Sequence, residues 1–383
     1  MLPVRTILGL LGCAWLLSGC SAFSHDEEIE PSALVDVEQQ VRVETLWSRN
    51  LAGALGERYQ QLRPAFLGNR IYSVGVAGRL VAADAATGKA IWQRDLNTRI
   101  AGGVAAGDGK VLLTTFDGRV LAYSALDGVP LWEARISSEA VAPSAIGGGL
   151  VVVQTIDGRL AAFAGDTGER RWSYSAQKPA LTLRGTSAPL IVDDRVYAGF
   201  SSGKLVALRL ADGEFVWDAR VAMADGQTEL ERMVDLDGEL VAGNGVIYVT
   251  TYQGRLGTVA LSDGRVLWSR DLSSFRSVAN GADQLFAVGA DGKVMAYDKL
   301  SSTELWVQEG LYFRQPTAPL FSQGVLMLGD FEGYLHFLSP QDGHFIGRIR
   351  IDSSGLSVPI VQHDGTVYLL GNDGEVSALK VGG

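Results

Sequence analysis

The sequence predicts an all-β fold, an eight-bladed β-propeller built from four-stranded antiparallel blades. Three observations predict it: a glycine-led apolar strand that recurs eight times, a tryptophan at a fixed place in most repeats, and a lone Trp-bearing strand near the N-terminus. Glycine supplies 47 of the 383 residues, and the frequent Asp-Gly and Thr-Gly pairs are typical of tight turns between short strands. Because the apolar residues alternate with period two, a helical solenoid is excluded.

Each repeat begins with a glycine followed by an alternating apolar run, as Gly118 is followed by RVLAYS. A second turn comes after that strand, and a tryptophan stands shortly beyond it, as Trp132 follows Gly128. The unit therefore contains four antiparallel strands, which must pack against neighbouring units to bury both sheet faces. The leading glycines recur roughly every 40 residues, the spacing of propeller blades, at Gly78, Gly118, Gly158, Gly203, Gly254, Gly292, Gly333 and Gly374.

The two ends of the chain complete one blade between them. The eighth repeat ends shortly after Gly374 without a fourth strand, whereas Trp47 lies in a segment that matches the Trp-bearing strand but has no three strands before it. We therefore expect the N-terminal strand to close the last blade, so that the propeller spans residues 43–383 and keeps no open edge. The seventh blade departs from the pattern, with Gly347 where a tryptophan is expected.

The tryptophans of the repeat are interpreted as structural blade-packing residues. A set of aromatic side chains for stacking a ligand would gather at one site, whereas the same residue at the same place around a ring is typical of packing between neighbouring blades. The seven positions are Trp47, Trp92, Trp132, Trp172, Trp217, Trp268 and Trp306.

The first 19 residues are typical of a signal peptide, because Arg5 precedes an apolar run too short to span a bilayer. The segment LSGC that ends at Cys20 resembles the bacterial lipobox, which implies that Cys20 carries acyl chains; an ordinary cleaved signal with an incidental cysteine is the alternative. Ser21 in place of an aspartate then implies the outer membrane, with the protein on its periplasmic side. Residues 20–42 are acidic and without pattern, and we interpret them as the lipidated cysteine and a flexible tether.

The charge and the cysteines exclude two classes of protein. A formal net charge of −10 argues against a nucleic-acid binder, whose affinity depends on Lys and Arg at phosphates. Because Cys13 and Cys20 are the only cysteines, the propeller is expected to contain no disulfide and to depend on its own packing.

The whole chain resembles the quinoprotein-type propeller, which is shared by pyrroloquinoline-quinone (PQQ) dehydrogenases and by the BamB family of outer-membrane assembly lipoproteins. The lipobox, the length and the closure resemble the BamB family. That resemblance implies a non-enzymatic scaffold of the barrel-assembly (BAM) complex, without a cofactor, that binds the POTRA domains of BamA. It would thereby join the other BAM lipoproteins and assist folding and insertion of outer-membrane proteins; direct contact with nascent barrels is left open. The closest matching segments are LTLRGTSAP from Leu181, TELERMVDLD from Thr228, GYLHFLSPQDG from Gly333 and DSSG from Asp352.

Two repeats are longer than the others, and the extra residues fall in successive connections between blades, after Trp172 and after Trp217. Connections of this type emerge on one face of a propeller, and loops that depart from a rigid scaffold often carry function. The resemblance implies that these insertions bind BamA. A purely structural ion pair from Arg184 to Asp235 or Asp237 is the alternative. The implied BamA-binding residues are Leu181, Leu183, Arg184, Asp235 and Asp237.

Two other functions remain open. A PQQ-dependent dehydrogenase would need a quinone and Ca²⁺, but the predicted propeller lacks cysteines and the large insertions that build such a site. A periplasmic scaffold for a different partner is the third possibility. We expect no catalytic and no metal-binding residues, because the four histidines show no metal-ligand spacing: His25, His336, His344 and His363.

Overall fold

The computed structural model describes residues 30–56, 61–177, 179, 181–182, 186–223, 227–228 and 233–382. Within those ranges every regular element is a β-strand, and the strands form eight sheets of four antiparallel strands each. The eight sheets are arranged as the blades of a ring, which confirms the predicted eight-bladed propeller. Residues from Ser32 onward form one compact unit.

Each of the first four blades contains four consecutive strands, which we call A to D in chain order. Blade 1 contains β2 (Ala65–Leu67), β3 (Arg70–Val74), β4 (Arg79–Asp84) and β5 (Ala90–Asp95). Blade 2 contains β6 (Ile100–Gly107), β7 (Lys110–Thr115), β8 (Arg119–Ser124) and β9 (Pro130–Arg135). Blade 3 contains β10 (Ala145–Gly147), β11 (Leu150–Thr155), β12 (Arg159–Ala164) and β13 (Arg170–Ser175). Blade 4 contains β14 (Leu190–Val192), β15 (Arg195–Gly199), β16 (Lys204–Arg209) and β17 (Phe215–Arg220).

Blades 5 to 7 repeat the arrangement, and blade 8 combines both ends of the chain. Blade 5 contains β18 (Val241–Gly243), β19 (Val246–Thr250), β20 (Arg255–Ala260) and β21 (Val266–Asp271). Blade 6 contains β22 (Ala279–Asn280), β23 (Gln284–Val288), β24 (Val294–Asp298) and β25 (Glu304–Gln308). Blade 7 contains β26 (Leu320–Ser322), β27 (Val325–Gly329), β28 (Tyr334–Leu338) and β29 (Phe345–Arg350). Blade 8 contains β30 (Val361–His363), β31 (Thr366–Leu370), β32 (Glu375–Gly382) and the N-terminal β1 (Arg42–Asn50).

The antiparallel order of the strands gives the ring two different faces. The A strands of neighbouring blades contact one another, as β2 contacts β6 and β6 contacts β10, which places them at the centre of the ring. Since successive turns of a meander lie at opposite ends of the strands, the B–C turns and the D–A connections share one face, here called the upper face. The A–B and C–D turns form the lower face.

The N-terminal strand closes the ring as the sequence predicts. β1 pairs with β32 along its length, with Arg42 opposite Gly382 and Asn50 opposite Glu375. Blade 8 then packs on blade 1, where the ring of His363 stacks on Phe66 at a centroid distance of 4.5 Å. β1 therefore covers the outer edge of β32, which would otherwise be exposed, and joins the two ends of the chain in one blade.

The structure places each of the seven tryptophans on an outer strand, facing the C–D turn of the next blade. A left-handed glycine in that turn allows the close approach: a Cβ on Gly168, whose φ is +69°, would lie 2.5 Å from the Trp132 ring. The indole Nε1 also donates a hydrogen bond of 2.7–3.3 Å to a turn carbonyl. The pairs are Trp47 with Ala85, Trp92 with Ala125, Trp132 with Gly165, Trp172 with Leu210, Trp217 with Leu261, Trp268 with Lys299 and Trp306 with Pro340.

Residues 32–41, here called the N-terminal strap, lie along β29 of blade 7. Gln40 N donates to Ile346 O at 2.8 Å, and Val41 is buried in the core between blades 7 and 8. The prediction of a flexible tether over residues 20–42 is therefore wrong for residues 32–41. Apolar burial and backbone hydrogen bonds fix these residues on the propeller. Cys20 and the signal peptide lie outside the described residues.

A buried polar cluster in blade 7 supports the strap. His336 and Asp330 are fully buried, and His336 Nε2 lies 3.0 Å from Asp330 Oδ2. Arg348 Nε donates to His336 Nδ1 at 3.1 Å, so the ring is neutral with its proton on Nε2. Burial lowers the pKa of His336, while the partner Asp330 opposes that shift. Arg348 also donates to Val35 O at 2.7 Å, which connects the cluster to the strap.

Candidate docking surface

The two insertions lie next to each other on the upper face. The first joins β13 to β14, the second joins β17 to β18, and blade 4 stands between them. They meet at Gly199, where a Cβ would lie 2.7 Å from Leu236 of the second insertion and 3.0 Å from Ser187 of the first. A side chain at position 199 would therefore separate the insertions from the blade.

The second insertion is anchored by apolar burial and by the backbone. Val234 and Leu236 are almost fully buried, and Val234 forms an isolated parallel bridge with Ser202 of the B–C turn in blade 4. Tyr252 N donates to Asp235 O at 2.9 Å, which ties the insertion to blade 5 as well. The segment from Met233 to Leu240 is thus built into the seam between blades 4 and 5.

Asp235 and Asp237 lie inside this seam and not on the surface. Asp235 has no exposed area and Asp237 is 9% exposed. Burial, together with the neighbouring charge of Asp235, raises the pKa of Asp237 to about 7. Asp235 and Asp237 flank the buried Leu236, and the backbone contacts of Val234 and Asp235 with the B–C turns of blades 4 and 5 keep this stretch inside the seam. In this structure both carboxylates therefore lie within the seam, and Asp237 also borders the small cleft between the insertions and blades 3 and 4.

The first insertion presents an apolar side chain to solvent. Leu181 is 47% exposed, whereas Thr186 and Ser187 at its end are buried against blades 3 and 4. Leu183 and Arg184 lie outside the described residues. The candidate site thus consists of an exposed leucine on one insertion and a buried acidic pair on the other.

Two further apolar residues on the upper face were missed by sequence reasoning. Met223, at the start of the second insertion, is 72% exposed, and Phe275, in the next connection, is 41% exposed. Both lie in D–A connections, as Leu181 does. Their position in the repeat could therefore have identified them from the sequence. Exposed apolar side chains thus occur in three successive D–A connections of the upper face.

A narrow cleft lies between the insertions and blades 3 and 4. Its walls include Gln154, Thr186, Phe200 and Asp237, and the space inside it, about 10 Å³, has room for at most one water molecule. Gln154 Nε2 donates to Gly199 O at 2.6 Å across this cleft.

Two kinds of feature are absent from the residues that the structure describes. Among them there is no group of three or more His, Cys, Asp or Glu side chains that could hold a metal ion. In the same part of the chain, no helix has the length and apolar character needed to cross a membrane.

The repeat and the ring define the class of protein, a quinoprotein-type eight-bladed β-propeller. A family model described as "Outer membrane protein assembly factor BamB" matches residues 42–99 and 76–308. The BamB protein of Pseudomonas aeruginosa is 47% identical over 372 residues, which cover 97% of this chain and 98% of that protein. The chain therefore belongs to the family of the outer membrane protein assembly factor BamB, as the sequence resemblance predicts.

Solved structures agree with this assignment. The crystal structure of BamB from Moraxella catarrhalis has a TM-score of 0.82 and 26% identity, with 88% of this chain and 100% of that chain covered. A quinohemoprotein alcohol dehydrogenase from Comamonas testosteroni has a TM-score of 0.71 at 13% identity, covering 88% of this chain and 76% of that chain. At that identity the second likeness shows the shared fold and nothing more.

Proposed function

We propose that this chain is a non-enzymatic scaffold of the BAM complex, anchored by lipid to the outer membrane on its periplasmic side. It binds the POTRA domains of BamA and assists the assembly of outer-membrane proteins. Membership of the BamB family supports a role in the BAM complex. The exposure of Leu181 on the upper face is the observation that supports a docking surface there.

In this proposal the two insertions have different roles: the first contacts the partner, and the second supports the surface from within the propeller. Leu181 inserts its side chain into an apolar recess of the partner, which is the usual role of a central interface residue. Met223 and Phe275 extend the apolar contact along the same face. Asp235 and Asp237, being buried, hold the second insertion in place and keep the apolar sector preorganised, which lowers the entropic cost of binding. Leu183 and Arg184 belong to the same proposal on the strength of the family resemblance.

The anchor is proposed from the N-terminal segment. Cys20 carries the acyl chains, and these hold the protein at the membrane more firmly than one chain could. The strap begins at Ser32, so the segment that links it to Cys20 is short, with a maximum reach of roughly 40 Å from about 3.3–3.6 Å per residue. The propeller therefore stays close to the membrane surface.

A pull-down with purified BamA tests the proposal. Replacement of Leu181 by Ala weakens retention of BamA while the melting temperature stays at the wild-type value. Leu126 is the matched control, because it is an exposed leucine (69%) in a lower-face turn of blade 2. Wild-type protein that fails to bind BamA, or equal retention of both variants, contradicts the proposal; capture of a different periplasmic protein indicates a scaffold for another partner.

A further inference from the structure

A short segment at the centre of the upper face contacts both insertions. Residues 61–63 precede β2 and run across the start of blade 2, where Leu62 is fully buried and bridges Gly103. Arg63 N donates to Gly103 O at 2.9 Å and Val104 N donates to Arg63 O at 3.0 Å. These hydrogen bonds fix the backbone of the segment. The side chains of Gln61 and Arg63, on either side of Leu62, therefore extend from a rigid backbone.

Gln61 contacts the first insertion. Its Nε2 donates to Thr186 O at 3.2 Å, and its own backbone N donates to Val141 O at 3.2 Å in the connection between blades 2 and 3. Thr186 is buried, and Ser187, the next residue, contacts Gly199 beside the second insertion. Gln61 therefore holds the end of the first insertion at the point where the two insertions meet.

Arg63 contacts the second insertion. Its guanidinium forms an ion pair with Glu239, and both side chains are only about a quarter exposed. Arg63 lies just before the A strand of blade 1 and Glu239 just before the A strand of blade 5. Blades 1 and 5 are opposite each other in a ring of eight, so this ion pair spans the centre of the upper face. Partial burial limits its screening by salt, unlike that of a pair on the rim.

We infer that Gln61 and Arg63 are positioning residues for the docking surface, because they hold the two insertions at fixed places on the upper face. The inference rests on the proposed function, since it assigns their role in binding a BamA-like partner. Neither side chain has to touch that partner. Loss of either contact leaves the blades and the buried anchors intact but loosens the end of one insertion at the centre of the upper face, so that end must be ordered again on binding.

Binding kinetics of the full-length protein on immobilised BamA test the inference. Arg63→Ala and Glu239→Ala each weaken the affinity about tenfold, with a melting temperature close to that of the wild type. The charge-reversed pair Arg63→Glu with Glu239→Arg restores affinity, whereas each reversal alone does not. Gln61→Ala weakens the affinity independently of the ion pair. Arg209→Ala is the matched control, because it removes an ion pair with Asp212 at 2.6 Å on the lower face.

The outcomes separate the inference from the proposed function. Wild-type protein that does not bind BamA overturns both. Binding by the wild type that persists unchanged in Arg63→Ala and Gln61→Ala overturns the inference alone. Loss of binding in Arg63→Ala that the charge-reversed pair does not restore also overturns it, because a general defect in folding would explain that pattern. If Arg63→Ala lowers the melting temperature, two other variants test the inference instead. Arg63→Lys, which keeps the charge, should bind BamA nearly as well as the wild type. Gln61→Ala should bind it more weakly.

Discussion

Gln39 occupies the place beside Gly347 where the repeat would otherwise put a tryptophan. A Cβ on Gly347 would lie 2.8 Å from Gln39 Nε2 and 3.0 Å from Gln39 Oε1. The amide is held in place, since Arg348 N donates to Gln39 Oε1 at 2.9 Å and Gln39 Nε2 donates to Val41 O at 2.6 Å. In the other blades the tryptophan covers the C–D turn of the following blade. Blade 8 has no such turn, because its C and D strands are the two ends of the chain.

Replacement of Gly347 by Ala should weaken the attachment of the strap. The new methyl displaces the Gln39 amide and breaks its two hydrogen bonds, at an expected loss of about 1 kcal/mol in the free energy of unfolding. Chemical denaturation gives this value. In a Gln39→Ala background the same glycine replacement should cost nothing, because the space is then free. Additive losses in the double variant would contradict the assignment of this place to Gln39.

Replacement of Trp132 by Ala should lower the free energy of unfolding by about 3–5 kcal/mol, the usual cost of truncating a large packed side chain. The ring packs on Gly168 and its Nε1 donates to Gly165 O at 2.7 Å, so both the packing and the hydrogen bond are lost. Thermal or chemical unfolding measures the change. Replacement of the exposed Leu131, next to it in the sequence, is the control and should cost less than 1 kcal/mol. Similar losses in both variants would argue against packing between blades.

Replacement of Asp237 by Asn should stabilise the protein at high pH. The pKa of Asp237 is about 7 in the folded state, above the value of about 3.9 in an unfolded chain, so the folded state keeps a proton that the unfolded state has lost. The stability from this proton is full below about pH 4 and disappears as the pH rises through 7. At pH 8 the Asn variant, which mimics the neutral acid, should exceed the wild type by on the order of 1 kcal/mol or more.

The comparison of melting curves at pH 5 and pH 8 supplies the check on Asp237. Asn at this position should change the melting temperature much less at pH 5 than at pH 8. The control Asp194→Asn makes the same substitution at a carboxylate whose side chain is 82% exposed. An Asn variant that is less stable than the wild type at pH 8 would mean that the ionised carboxylate is needed there.

His336 should make the strap sensitive to acid. Its pKa is below the ordinary value because of burial, so the unfolded chain takes up a proton at about pH 6.5 while the folded ring stays neutral. Stability from this group is present above that pH and is lost as the pH falls. Replacement of His336 by Gln should therefore reduce the loss of stability between pH 7 and pH 5. His344, with a side chain 79% exposed, is the control; equal pH profiles for the wild type and His336→Gln would contradict this prediction.

The sequence was sufficient to predict the ring because its signals are local. A glycine such as Gly168 adopts positive φ in a turn, and a tryptophan such as Trp132 recurs at the position that packs on that turn, so most repeats carry both signals. The unpaired Trp47 strand similarly required a partner at the other end of the chain. These signals depend on turn chemistry and alternation, which neighbouring residues determine.

The site was less predictable because burial depends on residues far away in the chain. Asp235 and Asp237 look like exposed loop residues, yet turns of blades 4 and 5 cover them. The strap has the composition of a linker, so its residues give no sign that they pack on blade 7. The one related signal in the sequence is Gly347, which stands in place of a tryptophan and leaves the space that Gln39 fills. The pairing of Arg63 with Glu239 joins opposite blades and has no local signal at all.

Site-specific cross-linking in intact cells tests the central claim most directly. A photoreactive residue at position 181, on the upper face, should yield a cross-linked product that contains BamA. The same residue at position 126, on the lower face and also exposed, should not. Cross-linking to BamA from position 126 but not from position 181, or from neither, would contradict the assignment of the upper-face insertions as the docking surface.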